Sequence, residues 1–346
     1  MRVAAILISC LATMGCAGLY DPQSDLAKCH DPFGKFAVEA CTRVIESDQV
    51  GPKQKVAALV DRAIAHRSRG ASQESIKDLD QAIGIDGTNA ETYFIRGRLY
   101  FELRQYDEAI ENYDVAVKLN PKYAGAYNSR GHTHFTRHEW QLAIDDYTRA
   151  IEANPQADFW RNRGEAHMAL GQTVLALADF EEAIRRDPDT SPRAYMQRAG
   201  ARALSGEFDA ALADYDTFID RAGKELLLDG AFFVKPMIAR AYLERGDVFS
   251  CKEDLASAIA SYSAAIDTIA SYGERFDKSR DLAQAHIRRS EAQLAAGHQA
   301  EAKADRDKAL ALDPDLVSKI EQWSRERKAA GLPALLFGPD NPAATD

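Results

Sequence analysis

The sequence contains no long block of lysine and arginine and no internal apolar run approaching twenty residues. The first absence argues against a protein that binds DNA or RNA phosphates by charge, and the formal net charge of -10 points the same way. The second absence excludes a polytopic membrane protein, in agreement with a mean hydropathy of -0.37. The chain has 346 residues, of which 46% are hydrophobic, so it has enough apolar material for a large core.

Familiar catalytic motifs are missing as well. The chain has no glycine-rich phosphate loop, no G-x-S-x-G nucleophile elbow and no H-E-x-x-H helix. Its cysteines form neither a CxxC pair nor a zinc-binding spacing. We therefore predict no enzymatic activity, no cofactor and no metal site.

The first residues have the pattern of a secretory signal peptide. Arg2 precedes a short apolar stretch, Val3 to Leu11, and small residues follow it. We therefore expect an exported protein with residues 1–17 as its signal. Two outcomes of processing are open, cleavage before Gly18 and lipidation of Cys16. Lipidation is considered because the Gly-Cys pair that ends at Cys16 resembles the end of a bacterial lipobox. The expected location is the periplasm, or the outer membrane as an anchored lipoprotein.

Export would place the remaining cysteines in an oxidising compartment. Cys29 and Cys41 are twelve residues apart, with a predicted turn between them. We predict a disulfide between these two residues that ties the N-terminal arm to the following helix. Cys251 lies outside this predicted pair.

The rest of the chain repeats itself at intervals of about 34 residues. Residues 90–123 and the segment after them align with small, aromatic and proline positions in step. Alanine dominates the twentieth and twenty-seventh positions. The eighth position is always small and the twenty-fourth is mostly aromatic: Ala63, Gly97, Gly131, Gly164, Ala199, Ala239 and Ser290 at the eighth, and Leu79, Tyr113, Tyr147, Phe180, Tyr215, Tyr262 and Arg306 at the twenty-fourth.

This pattern resembles the tetratricopeptide repeat, a helix-turn-helix unit of about 34 residues. The resemblance implies an all-α, right-handed α-solenoid of about seven units with a capping helix at each end. The predicted segments are an N-terminal arm and capping helix at 18–55, a repeat region at 56–316 with units at 56–89, 90–123, 124–156, 157–191, 192–225, 232–270 and 283–316, and a C-terminal capping helix and loose tail at 317–346.

The sixth unit departs from the pattern. With Ala239 at the eighth position, sixteen residues separate Tyr242 from Ala258, where the pattern leaves about nine. This excess predicts an insertion of about seven residues, Val248 to Asp254, that carries Cys251.

Arginine recurs at the seventh position and an acidic or amide residue at the twenty-third. We predict an internal contact between these positions, repeated along the chain, in preference to a basic strip for acidic peptides. The residues are Arg62, Arg96, Arg130, Arg163, Arg198 and Arg289, with Asp78, Asn112, Asp146, Asp179, Asp214 and Asp305 in the same order.

Three histidines lie close together in the third unit. His134 and His138 are four residues apart and fit one side of a helix, as metal ligands do. The repeat register instead places His134 at a core position and His138 in the turn between helices. We therefore predict packed or capping histidines, with no metal bound by these residues or by His132.

The resemblance also implies a binding surface, because the first helices of such units line a concave groove. A mixture of aromatic, methionine and polar side chains suits an extended peptide or a partner helix. The predicted groove residues are Phe94, Ile95, Arg98, Phe101, Glu102, Asn128, Ser129, His132, Phe135, Arg161, Asn162, Glu165, Met168, Arg193, Met196 and Gln197.

We therefore predict a non-catalytic scaffold or adaptor of the bacterial cell envelope. Its expected partners are other proteins, not nucleic acid, and it would contact the membrane only through a lipid anchor. One alternative is a self-assembling structural protein. A less favoured one is an enzyme that uses Cys251 or the cluster of His132, His134 and His138.

Overall fold

The computed structural model describes residues 22–31, 33–34, 36–188, 192–225, 234–272, 277–315, 317–320 and 322. These residues form α-helices and the turns between them, and none of them lies in a β-strand. The fold is therefore all-α, as predicted. The predicted signal at residues 1–17, including Cys16, lies outside the described residues.

The helices follow one another as antiparallel pairs of the α-solenoid class. The described residues divide into two compact units, Met1–Thr133 and His134–Asp346, with the division inside α7. The helices are α1 (Pro22–Cys29), α2 (Ala37–Glu46), α3 (Pro52–Ser68), α4 (Ser72–Ile85), α5 (Ala90–Glu102), α6 (Tyr106–Leu119), α7 (Ala124–Thr136), α8 (Trp140–Ala153), α9 (Ala157–Ala169), α10 (Thr173–Arg186), α11 (Pro192–Leu204), α12 (Phe208–Glu225), α13 (Val234–Cys251), α14 (Leu255–Ala270), α15 (Ser279–Ala295) and α16 (Gln299–Leu312).

A close approach between paired helices explains the small residue at the eighth position. A Cβ atom placed on Gly97 would lie 2.7 Å from Cε1 of Tyr113. A Cβ atom placed on Gly164 would lie 2.6 Å from Cε1 of Phe180. Both rings are buried. The aromatic side chain at the twenty-fourth position therefore packs directly on the backbone of its partner helix.

The turns between paired helices share one backbone feature, a residue with a positive φ that ends the first helix. In the turn after α9, for example, the N–H of Gln172 donates to the carbonyl of His167 at 2.9 Å, across the left-handed Gly171. The residues with positive φ, between 60° and 85°, are Gly70, Arg104, His138, Gly171, Gly206, Glu253 and Gly297.

The sixth repeat is regular, and the predicted insertion at Val248 to Asp254 is wrong. Glu253 is the left-handed residue of an ordinary turn. A Cβ atom on Gly246 would lie 2.5 Å from Cε1 of Tyr262, so Gly246, not Ala239, holds the eighth position. Seven residues make about two helical turns, so both small residues lie on one face and both fit the pattern. Additional residues precede the repeat, and those from Val234 to Ile238 form the start of α13.

A disulfide and an ion pair join the two helices of the N-terminal segment. The Sγ atoms of Cys29 and Cys41 lie at a bonding distance of 2.12 Å, and both residues are fully buried. Arg43 donates to both carboxylate oxygens of Asp25, at 2.7 and 2.8 Å. The two cysteines that were predicted to pair thus join α1 to α2.

Removing this disulfide is expected to lower the free energy of unfolding by about 3 kcal/mol, because the bond closes a short loop in the unfolded chain. The comparison is the wild type against Cys29→Ser with Cys41→Ser, by urea unfolding followed with circular dichroism. Lys118→Glu, which changes an exposed side chain of α6, is the control and should unfold as the wild type does. Equal midpoints for all three proteins would contradict the prediction.

At the C-terminal end, residues 317–320 continue as helix. Val317 and Ile320 are buried in one cluster with Ala283, Ile287 and Ala309. The remainder of the predicted capping segment and tail, residues 323–346, lies outside the described residues. The described part of this segment covers the last repeat.

Candidate partner-binding surfaces

Arginines at the seventh position bind acidic or amide side chains within the protein, as the pattern predicted. In the fourth repeat, Arg163 donates to both carboxylate oxygens of the buried Asp179, at 2.8 and 2.7 Å, and its guanidinium lies 4.8 Å from the ring centre of Trp160. Arg62–Asp78, Arg96–Asn112, Arg198–Asp214 and Arg289–Asp305 repeat the contact. Arg130 and Asp146 belong to different units.

Most of the seventh-position arginines also contact the second helix of the preceding repeat. The acceptor always stands at the twenty-fifth position of that repeat. The contacts are Arg96–Asp80 at 2.5 Å, Arg130–Asp114 at 2.5 Å, Arg163–Thr148 at 3.1 Å, Arg245–Asp216 at 2.9 Å and Arg289–Ser263 at 2.9 Å. Arg245 is the seventh-position arginine of the sixth repeat, which the shifted register had concealed.

The three clustered histidines have separate structural roles. His134 shares a hydrogen bond of 2.6 Å with Oε2 of Glu139. His138 is the left-handed turn residue, and its ring meets Trp140 edge-on at 5.8 Å. The ring of His132 lies 5.2 Å from that of Phe101. Within the described ranges, no three His, Cys, Asp or Glu side chains are arranged to hold a metal ion.

The predicted groove residues of the first unit form an aromatic surface, which we call the aromatic face. The rings of Phe94 and Tyr123 are 5.0 Å apart, and the guanidinium of Arg98 lies 5.8 Å from the centre of Phe94. Phe101 contacts His132 one repeat further on. The aromatic face consists of Phe94, Arg98, Phe101, Glu102, Ser129 and His132.

The aromatic face has a defined charge pattern. Burial raises the pKa of Tyr123 to about 12, so its hydroxyl stays neutral at physiological pH. The carboxylate of Glu102 lies 3.7 Å from the guanidinium of Arg67 in the first repeat. Arg98 is exposed and makes no hydrogen bond to a carboxylate among the described residues. The guanidinium of Arg98 is therefore available to an incoming anion.

In the second unit the corresponding surface is internally neutralised. Arg161 donates to Glu165 at 3.0 Å and to Asp158 at 3.3 Å, and the Gln197 amide of the next repeat also donates to Glu165. Burial raises the pKa of Glu165 even though Arg161 and Arg193 oppose the shift. These side chains hold neighbouring repeats together.

Two residues of this surface were missed from the sequence. Arg240 donates to Glu244 at 2.7 Å, and the hydroxyl of Tyr215 donates to the same carboxylate at 3.2 Å. With the sixth repeat starting at residue 239, Arg240 and Glu244 occupy the second and sixth positions, which face the groove in the family. The arginine before Gly246 was the sequence signal for that start.

Part of the predicted groove belongs to the core. Ile95 and Met196 are only 7% and 8% exposed and lie in hydrophobic clusters, so their assignment to a binding surface was wrong. Phe135 and Met168 are partly buried against similar clusters. These side chains pack between repeats, because burying an apolar side chain at a helix interface stabilises the folded protein.

A buried histidine in the last repeat makes stability depend on pH. Burial lowers the pKa of His286, although Asp305 lies 3.0 Å from its Nδ1 atom. The unfolded chain therefore binds more protons than the folded chain as the pH falls through about 6.5, and stability is lost in that direction.

We expect the melting temperature of the wild type to fall more between about pH 7.5 and 5.5 than that of His286→Gln. Thermal unfolding followed by circular dichroism measures the difference. The raised pKa of Glu165 increases stability as the pH falls, which opposes the effect of His286. Because both proteins contain Glu165, the difference between them reports the contribution of His286. Parallel pH profiles would show that His286 does not contribute.

None of the described helices is both long enough and apolar enough to cross a bilayer.

Comparisons with known proteins agree with the repeat geometry. The family described as TPR repeat matches residues 97–137, and the family described as tetratricopeptide repeat matches residues 129–191 and 199–274. None of the curated proteins matches the chain.

Solved structures share the fold at low sequence identity. The C-terminal part of a TPR repeat-containing protein from Cytophaga hutchinsonii is 20% identical, with a TM-score of 0.55 over 73% of this chain and 95% of that one. A tetratricopeptide repeat protein from Parabacteroides merdae is 18% identical, with a TM-score of 0.53 over 77% and 96%. The PilF protein of Pseudomonas aeruginosa is 18% identical, with a TM-score of 0.52 over 62% and 92%. The family models thus assign tetratricopeptide repeats to residues 97–191 and 199–274, and the solved structures share the α-solenoid fold.

Proposed function

We propose that this protein is a non-catalytic scaffold or adaptor of the bacterial cell envelope that binds a segment of a partner protein on its aromatic face. One observation carries the proposal. Phe94 and Phe101 are only partly buried, although each also contacts a tyrosine of the second helix of its repeat, Tyr113 and Tyr106 respectively. Aromatic and arginine side chains dominate the energetics of protein interfaces. A face that combines them is suited to binding.

The location in the envelope is supported by the signal-like pattern of residues 1–17 and by the buried disulfide. Mass spectrometry of the protein from its own bacterium tests this part. A chain beginning at Gly18 would mean soluble export, and a diacylated Cys16 would mean a lipoprotein. A chain that retains Met1 would contradict export.

The binding proposal is tested with a library of short random peptides displayed to the purified protein. Peptides selected on the wild type should lose binding to a variant with Phe94→Ala and Phe101→Glu. Lys118→Glu changes an exposed charge on α6 and should bind as the wild type does.

Folding of each variant is checked by urea unfolding. Phe94 packs on Tyr113 and Tyr123, so the double variant carries a risk of lower stability. Phe101→Glu alone provides the second test, because this side chain is only half-buried. Selected peptides that bind a folded Phe101→Glu protein as well as the wild type would overturn the proposal.

A further inference from the structure

We propose that the aromatic face selects partner segments that place an aspartate or glutamate side chain between two apolar side chains. This inference rests on the proposed function and specifies the chemistry of the partner. Its basis is Arg98, which differs from the neighbouring arginines in its surroundings.

Arg98 keeps its charge available. Arg96, two residues earlier on the same helix, donates to Asn112 at 2.7 Å and to Asp80 at 2.5 Å. Arg98 instead lies over the ring of Phe94, 5.8 Å from its centre. A ring face attracts a guanidinium but does not satisfy its N–H donors. Those donors remain for a carboxylate, which the planar guanidinium can bind through two parallel hydrogen bonds.

Two carboxylates of the protein could compete for Arg98. Glu102 is one helical turn further along α5, but its oxygen lies 3.7 Å from Arg67 of the first repeat. Glu91 is about two turns earlier, roughly 10 Å along the helix axis. Neither carboxylate makes a hydrogen bond to Arg98. An incoming carboxylate therefore meets a guanidinium that is hydrogen-bonded to neither of these carboxylates.

The aromatic side chains lie on both sides of this charge. Phe94 precedes Arg98 by four residues and Phe101 follows it by three, so all three share one face of α5. Their spacing along the axis is about 6 Å and 4.5 Å. Alternate side chains of an extended peptide are about 6.6 Å apart. A peptide with apolar residues two positions before and after an acidic residue therefore matches this face.

The second unit supports the assignment by contrast. There Arg161 and Arg240 each donate to a glutamate four residues later, Glu165 and Glu244. An acidic peptide would have to displace these internal carboxylates. Arg98 needs no such displacement.

The experiment uses three synthetic peptides with phenylalanine two positions on either side of a central aspartate, asparagine or lysine. Dissociation constants for the full-length protein are measured by fluorescence anisotropy. We expect the aspartate peptide to bind about 10- to 100-fold more tightly than the asparagine peptide, as for loss of one charged hydrogen-bonded contact. Arg98→Glu should reverse the order in favour of the lysine peptide, whereas Lys118→Glu should keep the order of the wild type.

Glu102→Gln provides an independent test. This variant removes the nearest competing carboxylate, so it should bind the aspartate peptide more tightly than the wild type while the asparagine peptide is unaffected. Tighter binding of both peptides, or of neither, would count against the inference.

The outcomes separate this inference from the proposed function. Equal binding of all three peptides, lost in Phe101→Glu, would leave the peptide-binding function intact and overturn the acidic preference. An aspartate preference that survives in Arg98→Glu would overturn the role of Arg98. Absence of binding by all three peptides would overturn the proposed motif, and the random library then decides the function on its own.

Discussion

Replacing Arg163 with methionine is expected to lower the free energy of unfolding by about 3–5 kcal/mol. The guanidinium makes two hydrogen bonds to Asp179, whose side chain is only 6% exposed. Methionine retains much of the apolar packing on Trp160 but removes both guanidinium hydrogen bonds from the carboxylate, beside which only His167 remains, at 3.7 Å. A buried charge that loses its main partner costs far more than the pair itself contributes.

Urea unfolding followed by circular dichroism measures this loss. Arg149→Met is the control, because the Arg149 side chain is 67% exposed and its pair with Glu152 is a surface contact worth about 0.5 kcal/mol or less. Arg163→Met combined with Asp179→Leu should recover part of the lost stability. A single variant as stable as the control would show that the repeated arginine contact is not structural.

Replacing Gly246 with valine is expected to destabilise the protein by about 3 kcal/mol. The new Cβ would lie 2.5 Å from a ring carbon of Tyr262, and that ring is buried and held by a hydrogen bond of 2.9 Å to Asp247. The ring has no room to move, so the helices α13 and α14 must separate. The gain in helix propensity on losing a glycine, about 0.5 kcal/mol, is too small to compensate.

The matched control is Gly223→Val in α12, where an added Cβ meets nothing within 4 Å. This variant should be as stable as the wild type or slightly more stable. The comparison also tests the register of the sixth repeat. If Gly246→Val changed the stability as little as the control does, Gly246 would not be the close-contact residue and the corrected register would be wrong.

The sequence allowed the helix pairing to be predicted because packing limits side-chain size. Gly97 and Gly164 must be small, since Tyr113 and Phe180 lie against their backbones. The same criterion failed at Ala239, because a shift of seven residues returns to the same helix face. Spacing alone could not separate the two registers, whereas the left-handed Glu253 does.

The binding surface was less predictable than the fold. Family positions indicated which side chains face the groove, but the burial of Ile95 and Met196 depends on neighbouring repeats. Arg98 and Glu102 have the spacing of a helical ion pair, yet Glu102 lies against Arg67 instead. Which charge remains available is decided by contacts between repeats, and no single repeat contains that information.

The arginine contacts give each stack of repeats a direction. Arg96, Arg163 and Arg289 each bind the second helix of their own repeat and also contact the second helix of the repeat before it. Removing a repeat from either side breaks this contact. A cut on the C-terminal side leaves the twenty-fifth-position acceptor without its arginine, whereas a cut on the N-terminal side leaves the arginine bound to the second helix of its own repeat. Fragments shortened from the N-terminal side of a unit should consequently fray less at the cut than those shortened from the C-terminal side.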